Sequence, residues 1–424
     1  MPSGVSNLGI DNAGKIVVIG PDGNIISGDI TEQAIIDALI HSDAYAAEGT
    51  SGLIIDYSNK SFTRAQEAAD ASDSTFFNKY AMYGGRMRCN VADDGTINAF
   101  YGDSNYTEDG SNGQVMIYQP KFYYMRTPIK TTNNTAGKVI RKESIIISDQ
   151  DNVGFKLHPI FKDVNGNELD YVLLGTYEAS LDQTKLTSIA GVKPASNMNI
   201  LDAETYASNR GEGWHITNLA AESVNQMLEI VEYGTMNMQA EIEQGITNIS
   251  TDTSSNHASI TGSTASIGNG TGVAESTVND GTSYNTPGKR AICYRGMENP
   301  WGNIWHFIGG IIINGNRISR GGLPYICKDF NYTDNQIGRN YESINFTLPS
   351  TQDWVSAMGY GNSTYDWVYM PIECAETANS ATPIGDKIWT VNNLNGNCVV
   401  VSGGMWTSGT NSGPFYYGCD RTIE

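Results

Sequence analysis

The two side chains with the widest catalytic repertoire, the thiol and the imidazole, are few and widely spaced in this sequence. They are Cys89, Cys293, Cys327, Cys374, Cys398 and Cys419, and His41, His158, His215, His257 and His306. Zinc and redox thiols normally have a second thiol roughly two to four residues away, and none of these does. The pattern predicts free, buried thiols in a reducing compartment, with a Cys398–Cys419 disulfide as the alternative. It indicates no catalytic triad and no metal cluster.

Carboxylates are the remaining candidates for chemistry, because a glycoside hydrolase needs two of them at a fixed separation. Glu298, Asp366 and Glu373 are available. Their spacing along the chain does not place any two of them face to face, so surface or turn roles are favoured. His306 follows Trp305 in an apolar turn, and we expect it to be a hydrogen-bonded core residue rather than a base. The sequence therefore favours binding over catalysis.

The chain is acidic and contains few charged residues for its length. Its 424 residues carry a formal net charge of −20, and only 17% are charged, whereas 46 are Gly and 23 are Tyr. Such a chain is repelled by phosphate backbones and anionic lipids, which argues against nucleic-acid and membrane partners. Simple solubility and acidic loops that bind calcium are two interpretations of the charge. A surface rich in Tyr, Gly, Ser and Asn is typical of adhesins and paratopes.

The sequence also bears on domain number and location. Its length allows two or three domains. No stretch of roughly 18–20 apolar residues is available to span a bilayer. The first residues, Met1-Pro2-Ser3-Gly4, lack the basic region and apolar core of a signal peptide. We therefore expect a protein that is made in the cytoplasm.

The elements that must position any site begin with a mixed N-terminal region. Residues 1–28 are expected to form short extended segments, and residues 30–39 a helix. A second helix is predicted over 61–72, because apolar residues recur there at helical spacing.

Residues 75–180 are predicted to be mostly strand and turn. The pair Asn165-Gly166 is typical of a hairpin, and residues 171–175 follow it as an apolar run. We therefore expect a buried strand after this turn.

The second half contains one clear helix and a sharp change in composition. Asn218 is placed to cap a helix that continues to residue 233. Residues 246–288 are dominated by Ser, Thr, Asn and Gly, and they are predicted to form a long surface insertion, with a domain linker as the alternative. Residues 290–424 hold six of the seven tryptophans, which are first of all candidates for a core.

Two stretches in that region are distinctive. Residues 294–305 read YRGMENPWGNIW, and residues 401–417 read VSGGMWTSGTNSGPFYY. In the first stretch, two Trp four residues apart are predicted to clamp a turn into the core, while Gly302 lets the backbone pass closely. Coordination of a cation by Glu298 and Asn303 is the alternative.

The second stretch combines a Gly-punctuated loop with aromatic residues. Gly403 and Gly404 precede a run of Ser, Gly, Thr and Asn, which is flanked by Trp406 and by residues 415–417. Exposed aromatic patches of this kind serve recognition, and packing inside the core is the equally weighted alternative.

Together the two stretches resemble the C-type-lectin-like fold of the formylglycine-generating-enzyme type. They are more narrowly similar to the variable proteins of diversity-generating retroelements and to related tail adhesins of gut bacteriophages. The Trp214-His215 pair before the helix, residues 236–239 and residues 346–350 also look like this family, so the resemblance covers about 210–424. Residues 83–86 and 119–124 resemble, less specifically, the front part of phage tail proteins.

The resemblance implies an α+β, β-rich protein in three parts. Residues 1–75 would form an N-terminal attachment or oligomerisation region, and residues 76–205 a β-rich middle domain. Residues 206–424 would form a C-type-lectin-like ligand-binding domain that contains the 246–288 insertion. The family pattern continues with a further strand after the point where this sequence ends. We therefore expect that strand to be missing or truncated.

The resemblance also implies where a ligand binds, because variable positions in such proteins cluster on C-terminal loops held by a rigid scaffold. The main candidates are Trp406, Thr407, Thr410, Asn411, Phe415, Tyr416, Tyr417 and Asp420. The secondary candidates are Asn392, Asn393, Asn395 and Asn397, together with Tyr360, Asn362 and Tyr365.

The function implied is that of a phage or prophage tail receptor-binding protein. It would act as a homotrimer in the virion, made in the bacterial cytoplasm. Its partners would be a host-surface protein or glycan and other tail proteins, with neither nucleic acid nor membrane insertion. No cofactor is implied, although calcium remains an alternative.

Three alternatives accompany this hypothesis. A formylglycine-generating oxidase needs two nearby thiols, whereas Cys374, Cys398 and Cys419 are more than twenty residues apart. A structural tail or baseplate protein would use the lectin-like domain only for assembly. A bacterial surface lectin is disfavoured by the expected lack of a signal peptide.

Overall fold

The computed structural model describes residues 49–250, 256–315, 321–328, 340–375, 377–390 and 396–422, with the backbone of three short strands before them. Those three strands form an antiparallel sheet, which agrees with the extended segments predicted over residues 1–28. The helix predicted over residues 30–39 lies outside the described residues.

Strands dominate the described chain, with about 37% of residues in strands and 15% in helices. The strands of the first half are β1 (Asn7–Ile10), β2 (Ile16–Ile19), β3 (Ile25–Ile26), β4 (Thr50–Asp56), β5 (Ser61–Gln66), β6 (Met87–Val91), β7 (Ile97–Phe100), β8 (Gln114–Pro120), β9 (Tyr123–Asn133), β10 (Lys138–Ser148), β11 (Lys156–Leu157), β12 (Tyr171–Gly175), β13 (Ser180–Asp182) and β14 (Lys185–Thr187). Those of the second half are β15 (Gly272–Ala274), β16 (Ser276–Thr277), β17 (Ser283–Tyr284), β18 (Ala291–Tyr294), β19 (Met297–Glu298), β20 (His306–Asn314), β21 (Leu323–Cys327), β22 (Tyr341–Ser343), β23 (Asp353–Met358), β24 (Pro371–Cys374), β25 (Lys387–Trp389), β26 (Asn397–Gly403) and β27 (Gly413–Thr422). The α-helices are α1 (Ala81–Gly84), α2 (Ile200–Ser208), α3 (Leu219–Tyr233) and α4 (Met238–Glu241), and 3-10 helices cover Glu67–Asp70, Ser74–Lys79, Pro159–Phe161, Ala265–Ile267 and Gly409–Asn411.

A five-stranded antiparallel sheet in the order β11-β9-β10-β4-β5 forms one side of the core. Its last strand corrects the helix predicted over 61–72, because residues 61–66 pair with β4 and only Glu67–Asp70 form a short 3-10 helix. The helical spacing of apolar residues gave the wrong prediction here. Hydrogen bonds to the fully buried neighbouring strand β4 stabilise the extended form more than local periodicity stabilises a helix.

A four-stranded antiparallel sheet in the order β12-β8-β6-β7 follows the predicted strand-and-turn pattern. Gly166 adopts a φ of 82° in the predicted turn, a conformation that glycine accepts without strain. Strand β12 then pairs along β8 from Tyr171 to Gly175. The turn and the strand after it are therefore confirmed, but the strand is not buried as expected, because only Leu174 of its five residues is buried at this sheet edge.

The helix α3 is the central element of the core. It begins as predicted, because the Asn218 side chain accepts a hydrogen bond from the Ala221 N–H at 2.9 Å, and it ends at Gly234, whose φ of 68° is left-handed. Every residue from Leu219 to Glu232 is buried. The helix contacts β4 and β10 as well as β20 and β27, so it lies between the two large sheets.

The second large sheet has eight strands in the order β22-β21-β20-β26-β27-β25-β23-β24. Its pairs are antiparallel except for β25 with β27. One hydrophobic cluster runs from Leu53 through α3 to Cys419. The expected boundary between residues 205 and 206 therefore does not separate two cores.

The Ser/Thr/Asn/Gly-rich segment differs from the surface insertion that its composition predicts. Its described part, residues 256–288, contains three short strands and packs through Ala258 and Val278 against Ile246 and Trp406. Polar residues of the segment are buried too, and Thr264 has no exposed surface. Hydrogen bonds of buried polar groups hold the segment in place together with this small apolar cluster, which is why composition alone misplaces it.

No helix in the described part of the chain is long and apolar enough to cross a membrane. All six cysteines are free, and five of them are buried. The prediction of free thiols is confirmed, and the alternative Cys398–Cys419 disulfide is wrong. Cys398 stands opposite Thr422 rather than Cys419 in the β26–β27 pair.

Candidate ligand-binding surface

The 294–305 stretch is a scaffold turn clamped into the core by Trp301, whereas Trp305, predicted to share this role, is only half-buried. Trp301 is fully buried, and its indole N–H donates to the Gln244 carbonyl at 3.2 Å. Gly302 has a φ of 83°, and a Cβ there would lie 2.9 Å from the Ile246 carbonyl oxygen. Only glycine fits this close approach, so the turn is fixed against the 244–246 backbone.

Glu298 and Asn303 do not form the cation site that was the alternative for this stretch. The Glu298 carboxylate accepts hydrogen bonds from the N–H of Gly262 at 2.8 Å and from the N–H and hydroxyl of Thr264 at 2.7 and 2.8 Å. Burial raises the pKa of Glu298 to about 7, although these donors act in the opposite direction. These three donors fill most of the roughly four lone-pair sites of the carboxylate, which a cation would need. Glu298 therefore anchors residues 262–264.

Asn303 instead joins three parts of the chain. Its carbonyl side-chain oxygen accepts the Ser259 N–H at 2.7 Å, and its amide donates to the Glu178 carboxylate at 2.5 Å. Its backbone carbonyl accepts the Trp406 N–H at 3.1 Å. The Asn303 contacts thus connect the middle of the chain to the loop that follows β26.

His306 lies beside this junction. Its Nε2 atom is 3.1 Å from the Glu178 carboxylate. Burial lowers the pKa of His306, but the hydrogen bond and charge of Glu178 outweigh it, so the pKa is raised above its usual value. The hydrogen bond expected of His306 is confirmed, but the residue is half-buried at the start of β20 rather than part of the core. The sequence around His306 does not indicate this contact, because Glu178 is more than a hundred residues away along the chain.

The loop between β26 and β27, residues 404–412, is held by its backbone and exposes polar side chains. Trp406 is buried, and its carbonyl accepts the Ile249 N–H at 3.0 Å. The Gly409 N–H donates to the Thr247 carbonyl at 2.7 Å. Thr410 is exposed, and Thr407 and Asn411 are half-buried. These three side chains are therefore accessible at the tip of an anchored loop.

The aromatic residues that follow the loop face inward, which corrects their expected place on an exposed patch. Phe415 and Tyr417 have no exposed surface and belong to the main core. The Tyr417 hydroxyl accepts a hydrogen bond from the Gln226 amide at 2.7 Å, so its polar end is satisfied inside. Tyr416 on the opposite face of β27 is also buried. These three residues are scaffold, in agreement with the alternative prediction that the aromatic residues of this stretch pack inside the core.

The remaining main candidate, Asp420, is exposed near the end of β27. The guanidinium of the neighbouring Arg421 lies 4.0 Å from the centre of the Trp305 ring. Asn392, Asn393 and Asn395 lie outside the described residues, and Asn397 is half-buried at the start of β26.

The secondary candidates around residue 360 form a different surface. Tyr365 is buried, and its hydroxyl donates to the Glu342 carboxylate at 3.0 Å. Tyr360 is half-buried, with the Lys138 ammonium 5.4 Å from its ring centre. The Asn362 side chain accepts hydrogen bonds from the backbone N–H groups of Thr364 and Tyr365 and so stabilises the turn. Tyr365 is therefore a packing residue, whereas Tyr360 is partly accessible.

One pair resembles a catalytic dyad that sequence spacing missed. His158 Nε2 lies 3.1 Å from the Ser223 hydroxyl oxygen. The hydroxyl itself donates to the Trp367 carbonyl at 2.7 Å, so the imidazole donates to the serine rather than accepting its proton. Burial lowers the pKa of His158 to about 3. Since both residues are buried, the pair joins α3 to the first sheet and does not activate a nucleophile.

The three carboxylates considered for glycoside hydrolysis have separate structural roles. Asp366 binds the Tyr124 hydroxyl and the Lys156 ammonium, while Glu373 binds the Arg141 guanidinium. Across the described ranges, no group of three or more His, Cys, Asp and Glu side chains is placed to hold a metal ion.

A scan against protein-family models finds no matching family, and a search of curated proteins finds no related sequence. The lectin-like resemblance therefore rests on the sequence motifs between residues 210 and 424.

Proposed function

We propose that the protein is a phage or prophage tail receptor-binding protein, which recognises a host-surface protein or glycan and catalyses no reaction. The observation that carries this proposal is that the 404–412 loop presents accessible polar side chains, whereas the aromatic residues 415–417 that follow it are buried. Backbone N–H groups of the loop donate to the carbonyls of Asn303 and Thr247 and anchor it, and Thr410 with its neighbours stays accessible. A rigid scaffold that presents hydroxyl and amide groups is suited to recognition, because little ordering entropy is lost on binding.

Further parts of the proposal rest on the sequence resemblance. The 206–424 region would be a C-type-lectin-like domain whose surface is open to diversification, and the first 75 residues would serve attachment or oligomerisation. The protein would act as a homotrimer in the virion, with other tail proteins as partners. The acidic charge supports a partner other than nucleic acid. Calcium is proposed neither as a requirement nor at any particular site.

The binding surface is narrower than the candidates chosen from the sequence. We propose that Thr407, Thr410, Asn411 and Asp420 contact the ligand. Trp406, Phe415, Tyr416 and Tyr417 would support these contacts from within, since all four are buried.

Cell binding by the full chain tests this proposal. We expect the labelled protein to bind some isolates in a bacterial panel by flow cytometry. Thr410→Arg should weaken that binding at least about fivefold, since a central contact contributes about 1 kcal/mol or more. Thr184→Arg, at an exposed position in the β13–β14 turn, is the matched control and should change nothing.

Two outcomes would contradict the proposal. If the chain assembles into tails and no isolate binds it, the structural tail component is the better description. If Thr410→Arg binds the same isolates as strongly as Thr184→Arg does, the 404–412 loop is not the recognition surface. Light scattering separately tests the trimer, and a monomer would refute that part.

A further inference from the structure

A groove of about 380 Å³ lies between the loop after Tyr360 and the turn that follows β11. Its lining includes the apolar side chains of Leu157, Pro159 and Trp367. Ser363 and Thr364 line it from the loop, and Lys162 lines it from the turn after β11. None of these residues belongs to the 404–412 loop, so the groove is a second surface.

The loop side of the groove is held in place by polar contacts. The Lys156 ammonium donates to the Ser363 carbonyl at 2.6 Å and to the Asp366 carboxylate at 2.5 Å. The other oxygen of Asp366 accepts the Tyr124 hydroxyl. The Asn362 side chain accepts the Thr364 N–H at 2.8 Å. These contacts fix the backbone on both sides of Ser363 before any ligand arrives.

The rim carries polar groups that the protein does not use. Within the residues that the structure describes, neither the Ser363 and Thr364 hydroxyls nor the Lys162 ammonium has a hydrogen-bond or ion-pair partner. Glu168, which pairs with Lys162 through the backbone, directs its carboxylate to Lys121 and Tyr123 instead.

The Lys162 ammonium therefore has no direct ion-pair partner among the described residues, and it is exposed. The adjacent Asp163 side chain accepts hydrogen bonds from Asn165 and Asn167 within its own turn. Although Asp163 keeps its negative charge, its carboxylate is engaged within its own turn, so the exposed Lys162 ammonium is available to a ligand. It makes the rim of the groove attractive to an anion.

We infer that this groove binds a short saccharide that carries a carboxylate. A pyranose ring offers an apolar C–H face to the floor of Leu157, Pro159 and Trp367, while its hydroxyls reach the Ser363 and Thr364 side chains. The carboxylate pairs with the Lys162 ammonium. Ligand pockets of about 300 Å³ or more accept small molecules of this size. The inference does not depend on the ligand of the 404–412 loop.

Calorimetry with the full chain provides the test, with digalacturonate as the acidic probe and digalactose as its neutral counterpart. We expect digalacturonate to bind about three- to tenfold more tightly, because a partly exposed ion pair contributes about 1 kcal/mol. Lys162→Met should remove this preference and leave the affinity for digalactose unchanged. Lys193→Met, another exposed lysine, is the matched control. Thr364→Trp should fill the groove and abolish binding of both sugars.

Several results would overturn the inference. These are equal affinity for the two disaccharides, an unchanged preference in Lys162→Met, binding of acetate as tight as that of digalacturonate, or no binding of either sugar. Cell binding by Lys162→Met separates this site from the proposed function. If neither sugar binds the groove but cell binding still depends on Thr410, only the saccharide site is refuted.

Discussion

The substitution Asn303→Ala tests whether one buried amide holds the recognition loop in place. Asn303 is fully buried and has a φ of 60°. Its side chain binds Ser259 and Glu178, and its backbone carbonyl accepts the Trp406 N–H. Alanine removes all the side-chain contacts without adding any polar group.

The cost can be worked out from those contacts. The Ser259 N–H and one Glu178 oxygen lose their Asn303 partner, and each such buried group costs about 1–3 kcal/mol. Alanine in the left-handed region costs about 1 kcal/mol more. We therefore expect the free energy of unfolding to fall by about 3–7 kcal/mol, a large part of the roughly 5–15 kcal/mol typical of a folded domain.

Urea unfolding followed by tryptophan fluorescence measures this change. Asn303→Gly is the control, because it loses the same hydrogen bonds but accepts the left-handed backbone. We expect the glycine variant to be destabilised slightly less than the alanine variant. A loss below about 1 kcal/mol in both variants would refute the argument, since it would mean that water replaces the amide at little cost. Cell binding of the folded fraction should also weaken, because the Trp406 anchor loosens.

Two further substitutions test the buried surroundings of the loop. Burial raises the pKa of Glu222 to about 7, opposed by the positive charge of His306, so the folded chain holds this proton more tightly than the unfolded chain does. The stabilising proton is lost as pH rises through about 7, and Glu222→Gln should raise the free energy of unfolding by about 3 kcal/mol at pH 8 but only about 1 kcal/mol at pH 5. Urea unfolding at the two pH values checks this, and an equal effect at both would contradict it. Phe415→Ala should cost about 3–5 kcal/mol in the same assay, because it empties a core position. The folded fraction of that variant should still bind cells, whereas loss of binding without loss of stability would make Phe415 a ligand contact.

Local signals in the sequence were sufficient for several elements. The cap at Asn218 and the left-handed end at Gly234 act within one turn of the helix, so α3 could be placed from its own residues. The Asn165-Gly166 turn likewise depends on the conformations open to those two residues. The scaffold role of Trp301 and Gly302 followed from one bulky and one minimal side chain in adjacent positions.

Features that depend on distant partners were not predicted. Residues 61–66 became a strand because β4 was available to pair with them. Composition could not reveal that Thr264 is buried, because the donors of residues 262–264 find their acceptor at Glu298. The junction at Asn303 depends on Glu178, and nothing near either residue in the sequence indicates the other.

The inward direction of Phe415 and Tyr417 changes how variation at this site should be understood. Both residues follow the loop closely, yet they occupy the core of the eight-stranded sheet. Substitution there costs about 3–5 kcal/mol, whereas substitution at an exposed position such as Thr410 costs about 0.5 kcal/mol or less. A protein that varies its recognition surface can therefore do so freely at Thr407, Thr410 and Asn411 but not at residues 415–417. If the loop is diversified as proposed, related sequences should vary at Thr407, Thr410 and Asn411 and keep large apolar residues at 415 and 417.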